Sequence, residues 1–201
     1  MYYKNIIFVL IFGFLSSCSS LNPFKDNKFY YKNGYQRVQL DTENENAKNI
    51  HPIKISPLKI EGALKLIVTK YGPKAEPLFQ KEKYLPYSVA ISEALAEAKP
   101  HQDVVFTVEG WYRKKTLSDN RVTSGRIFYN KNGLNLIFGS IMRKGNQSET
   151  DPMLAAGLND DLAKNPYVPG SRYQSVPSNF VLSTIPNSGV FRPKDARGRI
   201  D

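Results

Sequence analysis

This chain of 201 residues holds one cysteine, two histidines and one tryptophan, with 18 acidic side chains against 28 Lys and Arg. Each scarcity excludes something. A single cysteine closes no internal disulfide and offers no cysteine pair to a structural zinc ion. The two histidines, His51 and His101, lie far apart and form neither an H-x-x-H nor an H-E-x-x-H motif. There is no G-x-S-x-G elbow and no glycine-rich phosphate loop following a strand. The sequence therefore names no catalytic constellation, no metal-ligand set and no cofactor. The shortage of acids leaves a formal charge of +10. That excess speaks of partners (nucleic acid, anionic headgroups, acidic polymers) rather than of fold. What is present suits one globular domain with tails, since 41% hydrophobic and 23% charged residues suffice for a core.

The lone cysteine has an informative place. Lys4 supplies a short positive region, Asn5 to Leu15 an apolar run, and the small residues Ser16 and Ser17 then precede Cys18. The run is shorter than the roughly 20 residues of a membrane span, and its small-residue end is of the kind that is cleaved. Residues 1–17 thus read as an export signal. Leu15-Ser16-Ser17-Cys18 resembles the lipobox of bacterial lipoproteins, a pattern of aliphatic, small, small and cysteine directly behind an apolar stretch. The resemblance covers the first twenty residues. It implies that Cys18 is acylated and becomes the first residue of the mature chain. It also implies, by the sorting role of the following residue, here Ser19, placement at the outer membrane on its periplasmic face. Two or more acyl chains anchor stably, each buried CH₂ contributing about 0.8 kcal/mol. An anchored, exported chain meets the envelope, so nucleic acid drops out as a partner.

Residues 18–27 read as a lipidated N-terminus and tether, residues 28–185 as a single domain and residues 186–201 as a basic irregular tail. Asn33-Gly34 between two aromatic or β-branched runs predicts a hairpin over 28–40. After a polar loop at 41–49, Ser56 and Pro57 open a helix. Ile60, Ala63, Leu64, Ile67, Val68 and Tyr71 continue one helical face toward Gly72-Pro73. Gly62 inside that helix suggests close packing there. A second helix is expected from Pro86 to Ala98, its start uncertain back to Gln80 because proline suits only a first turn or a kink. The period then becomes two: a strand over 103–112, and a hairpin over 122–142 with its turn at Asn130 to Gly133. Further on, Asp151 to Lys164 suggests a short helix and Asn179 to Thr184 a last strand. The class is α+β: an antiparallel sheet of about three to five strands with two main helices packed on one face, and an irregular C-terminal segment. The middle of the chain is faintly similar to proteobacterial lipoproteins of unassigned function, which implies nothing about activity.

Candidate chemistry is sparse. His101 and Asp103 could pair at a turn, but a solvated turn is the favoured reading. Glu109 is the one acid inside a core-like strand, and is expected on a solvent face with Thr107. Asp160-Asp161 reads as a surface loop. The best interaction candidate is Trp111, Tyr112, Arg113, Lys114 and Lys115, where the only tryptophan, a tyrosine and three cations leave the sheet together. The tail cations Arg192, Lys194, Arg197 and Arg199 read as solvated. The expectation is a non-enzymatic lipoprotein that docks on an envelope complex through a protein partner. The alternative is a binding module for an anionic envelope polymer or lipid, such as peptidoglycan or lipopolysaccharide, and an envelope hydrolase is the least favoured reading.

Overall fold

A computed structural model describes residues 28–70, 75–114, 117–144, 166–173 and 182–184. The first hairpin forms where Asn33-Gly34 places it, because Gly34 takes φ +59°, a conformation side chains resist. It joins β1 (Phe29–Asn33) to β2 (Gln36–Asp41). β5 (Asp103–Lys114), β6 (Leu117–Asn130) and β7 (Gly133–Lys144) form a meander whose last turn ends in Gly133, φ +101°. The sheet order is β1-β2-β5-β6-β7, antiparallel throughout. A second, three-stranded sheet sets β3 (Ile67–Lys70) between β4 (Ala75–Pro77) and β8 (Leu182–Thr184).

Two helices lie on one side of the large sheet. α1 (Pro57–Lys65) begins at the extended Ser56 with proline in its first turn, and buries Ile60 and Leu64. α2 (Lys81–Glu97) buries Tyr84, Tyr87, Ala90, Ile91, Ala94 and Leu95 along one face. These meet Val38, Val104, Phe106, Val108 and Ile127 from the sheet in one core. Phe79 sits at its centre, its ring 5.6 Å from those of Tyr84, Tyr87 and Phe106. Each such ring removed from water contributes roughly 1.5–3 kcal/mol. Tyr87 also donates its hydroxyl to the Thr107 carbonyl, and burial raises its pKa further beyond the ordinary phenol range.

Two expectations need correction, and one start left open is decided. The first helix stops at Lys65 instead of running to Tyr71. Ile67, Val68 and Thr69 are β-branched and pair with β4 and β8, so strand pairing overrides the helical spacing. Gly62 is exposed and nothing lies within 4 Å of where its Cβ would be, so it marks no close packing. The second helix starts at Lys81 and carries Pro86 in its interior, where the missing amide deprives the carbonyl of the exposed Glu82. The strand expected near Asn179 to Thr184 is present as β8, in the small sheet. The helix expected over 151–164 lies outside the described residues.

The other face of the large sheet is not left to water. Residues 166–173 cross it as a strap. Thr107 Oγ1 donates to the Tyr167 carbonyl at 3.4 Å and Ser124 Oγ to the Val168 carbonyl at 2.8 Å, while Arg126 Nε donates to the Gly170 carbonyl. Strap and sheet approach backbone to backbone at two glycines. A Cβ on Gly139 would lie 2.6 Å from the Gly170 amide nitrogen, and one on Gly170 2.5 Å from the Phe138 carbonyl oxygen.

Candidate functional site

Two groups of polar side chains stand at opposite ends of the large sheet. The first surrounds Asp103, whose side chain is buried where β5 begins. One carboxylate oxygen accepts from Arg126 Nη1 at 2.9 Å. The other accepts from Asn49 Nδ2 at 2.9 Å and from Arg172 of the strap. Arg126 also lies 3.4 Å from Asp41 and 3.6 Å from Glu43. Arg172 reaches Asn49 Oδ1 at 3.1 Å, stacks its guanidinium 3.6 Å from the centre of the Phe128 ring, and its amide donates to Glu43 at 3.1 Å. Sequence spacing brings none of these together; β-pairing sets Asp41 against Asp103 and Val105 against Arg126, and the strap adds Arg172. Every charge here has an opposite partner, so the cluster is a latch between sheet and strap rather than a site with a free reactive group.

His51 closes the latch from the side. Its Nδ1 is 2.9 Å from the Gln102 carbonyl, and its Nε2 accepts the Tyr129 amide at 3.0 Å. A carbonyl and an N–H facing the two nitrogens fix the neutral, Nδ1-protonated ring. Burial lowers its pKa, opposed by the Gln102 carbonyl and Asp103. His101 is elsewhere, 3.8 Å from Glu45 at a partly exposed turn. His101 and Asp103 therefore do not form a pair: the histidine stays on a solvated turn, as expected, while Asp103 turns inward.

The second group is at the far end. β2 pairs with β5 only as far as Arg37 opposite Thr107, and β7 with β6 only from Arg121 opposite Lys144. Beyond these limits Trp111–Lys114 and Leu117–Asn120 continue as a two-stranded arm. Its base is fixed on the helix side. Tyr112 donates its hydroxyl to the Leu78 carbonyl at 3.0 Å, and the Gln80 side chain donates to the Trp111 carbonyl. Trp111 points to the opposite face and is 64% exposed. Arg113 and Lys114 lie along the arm opposite Ser118 and Leu117; Lys115 falls outside the described residues. The register adds cations that the sequence reading did not connect to this place. Gly110 is opposite Arg121, Arg121 opposite Lys144, and Val122 opposite Arg143. Only the β-ladder could reveal that, because Arg143 and Lys144 stand some thirty residues downstream.

Glu109, expected at a solvent face with Thr107, is half-buried beside a fully buried Thr107 because the strap covers that face. Its Oε1 and the Oδ1 of Asn120 are buried without a hydrogen-bond partner. Among the described residues no group of His, Cys, Asp and Glu side chains could hold a metal ion, and no helix is long and apolar enough to cross a membrane. Leu15, Ser16, Ser17, Cys18, Ser19, Asp160-Asp161 and the tail cations lie outside the described residues. The class defined by these elements is α+β, a five-stranded antiparallel sheet with two helices on one face. No protein-family model matches this chain, nor does any curated protein or solved structure.

Proposed function

We propose that this protein is a lipid-anchored envelope lipoprotein, held through Cys18 at the periplasmic face of the outer membrane, whose domain is an accessory or assembly subunit docking on an envelope complex. The anchor rests on the sequence alone, on Leu15-Ser16-Ser17-Cys18 behind an apolar run. The docking half rests on one observation: the outward side of the helix pair carries Leu58, Leu85 and Val89 at 76%, 59% and 37% exposure. Leu85 and Val89 are one turn apart on α2, so they stand side by side. Apolar side chains left bare on one side of a helix pair suit a protein partner, which would take them from water.

The test is a crosslinked affinity pull-down of the lipidated protein from its own membranes, with Cys18→Ser and Leu85→Asp as controls. A stoichiometric protein partner, lost with Leu85→Asp, is the expected result. Recovery of no protein partner, or of one indifferent to Leu85→Asp, overturns the docking half. A mature chain whose mass shows no acyl groups on Cys18 overturns the anchor.

A further inference from the structure

We propose that the arm end of the sheet binds a polyanionic glycan, one whose sugar rings carry carboxylates, and that the domain thereby spans from its anchoring bilayer to such a layer. The spanning half rests on the lipid-anchored reading; the binding half stands on the arm alone.

The polarity comes from the ladder. The described chain begins at Lys28, whose ammonium binds Glu97 at the C-terminus of α2 at 2.6 Å, where Tyr30 also donates to the same carboxylate at 2.7 Å. The next residue, Phe29, pairs with Gln39, and Gln39 with Val105. The chain thus enters at the Asp103 end. Along β5 from Val105, at about 3.3 Å per residue, Trp111 is about 20 Å away and Lys114 about 30 Å. The link from Cys18 to Lys28 reaches at most about 36 Å even when extended. A domain tethered by its entry end therefore carries the arm at the end remote from its lipid, free to reach beyond the bilayer that holds it.

Charge is sorted along the same axis. At the entry end Arg126 and Arg172 face Asp41, Glu43 and Asp103, and Lys28 faces Glu97. At the arm end Arg113, Lys114, Arg121, Arg143 and Lys144 gather along the paired strands with Glu109 and Asp119 as the acids among them. Five cations against two acids thus leave the arm a local positive excess, which raises the local concentration of a polyanion. Charge alone would suit any anionic surface. The exposed indole narrows it: Trp111 offers a flat apolar face on a strand whose carbonyl Gln80 holds. A sugar ring has an apolar face of matching size, and carboxylates on the same chain answer the cations.

Trp111 is the only tryptophan, so its emission reports on the arm without background. The full lipidated chain in detergent micelles is sedimented with isolated peptidoglycan sacculi, and its emission is followed on titration with soluble fragments of them. Expected are co-sedimentation at low salt with a change in Trp111 emission, and at least about tenfold weaker binding once salt shortens the screening length below about 5 Å. Trp111→Ala and Lys144→Glu should each weaken binding several-fold with an unchanged melting temperature, whereas Lys59→Glu on α1 should not. No co-sedimentation at low salt, or full retention by Trp111→Ala, overturns the binding half. Binding to phosphatidylglycerol vesicles but not to sacculi overturns it too, since the arm then reads a lipid surface. An unacylated Cys18 with sacculus binding intact removes the spanning half and leaves the glycan site standing.

Discussion

Replacing Asp103 by Asn tests the latch most directly. The substitution keeps the shape, removes the charge and turns an acceptor oxygen into an NH₂ facing guanidinium donors. Asp103 is 1% exposed and the Arg126 side chain 5%, so the remaining cation cannot recover its hydration. Breaking a buried pair from one side costs about 3–5 kcal/mol. Asp41 at 3.4 Å and Glu43 at 3.6 Å still face Arg126, which argues for the lower end, about 3 kcal/mol. For a domain of roughly 160 residues, at about 2–4 °C per kcal/mol, the melting temperature should fall by about 6–12 °C. Arg172→Met should cost less, about 1–2 kcal/mol, because that side chain keeps 20% exposure and its aliphatic part can stay on Phe128. Since both residues serve one network, the double variant should lose at least about 0.5 kcal/mol less than the sum. Urea and thermal denaturation of the full chain in detergent, followed by far-ultraviolet circular dichroism, measures all three. A fall of under about 2 °C for Asp103→Asn, or strict additivity with Arg172→Met, would refute the latch.

Two further outcomes follow from single residues. His51 is neutral in the fold and its pKa is depressed by burial, with Asp103 and Arg172 as the charges facing it. Below the unfolded value of about 6.5 only the unfolded chain takes up the proton, so this contribution is complete above about pH 6.5 and is lost as pH falls toward the depressed folded value. Denaturation midpoints measured from about pH 7.5 down to 5 should drop, and His51→Gln should flatten that slope; an unchanged slope would refute the assignment. Gly62→Ala should raise stability by about 0.5–1 kcal/mol, because the helix interior gains propensity and the new methyl meets nothing within 4 Å. A lower melting temperature would show that α1 is packed there after all.

The parts of the fold legible in the sequence were those whose signal is local. Asn33-Gly34 and Asn130 to Gly133 marked two of the hairpins, and the change to a period of two marked β5, because turn chemistry and alternation need no distant partner. Ile67 and Val68 fitted a helical face and a strand equally well, and only β4 and β8 decided between them. Thr107 and Glu109 looked solvated because alternation identifies a second face without saying what lies over it, and the strap arrives from sixty residues away. The same holds for the candidate site. Trp111 was conspicuous in the sequence, whereas Arg121, Arg143 and Lys144 joined it only through strand register. Arg126 and Arg172 carry no sequence signal of their own for the same reason. A buried charge has no sequence signature apart from its partner.

The strap also has a consequence in time. Chains are synthesised from the N-terminus, and domains complete as their last required segment appears. Asp103 and Arg126 can pair as soon as β5 and β6 meet, but the sheet face around them stays open to water until residues 167–172 arrive. Closing that face is a non-local step, the kind that slows folding most. Between the appearance of β7, which ends at Lys144, and that of the strap at 166–173, this chain is therefore a sheet with one finished side and one unfinished side. The unfinished side mixes the polar Thr107, Ser124 and Arg126 with the apolar Val105, Val122 and Phe128, all buried in the finished fold. An incomplete molecule thus shows water apolar side chains as well as polar ones on that side, and the strap is the segment that removes them from reach of another chain.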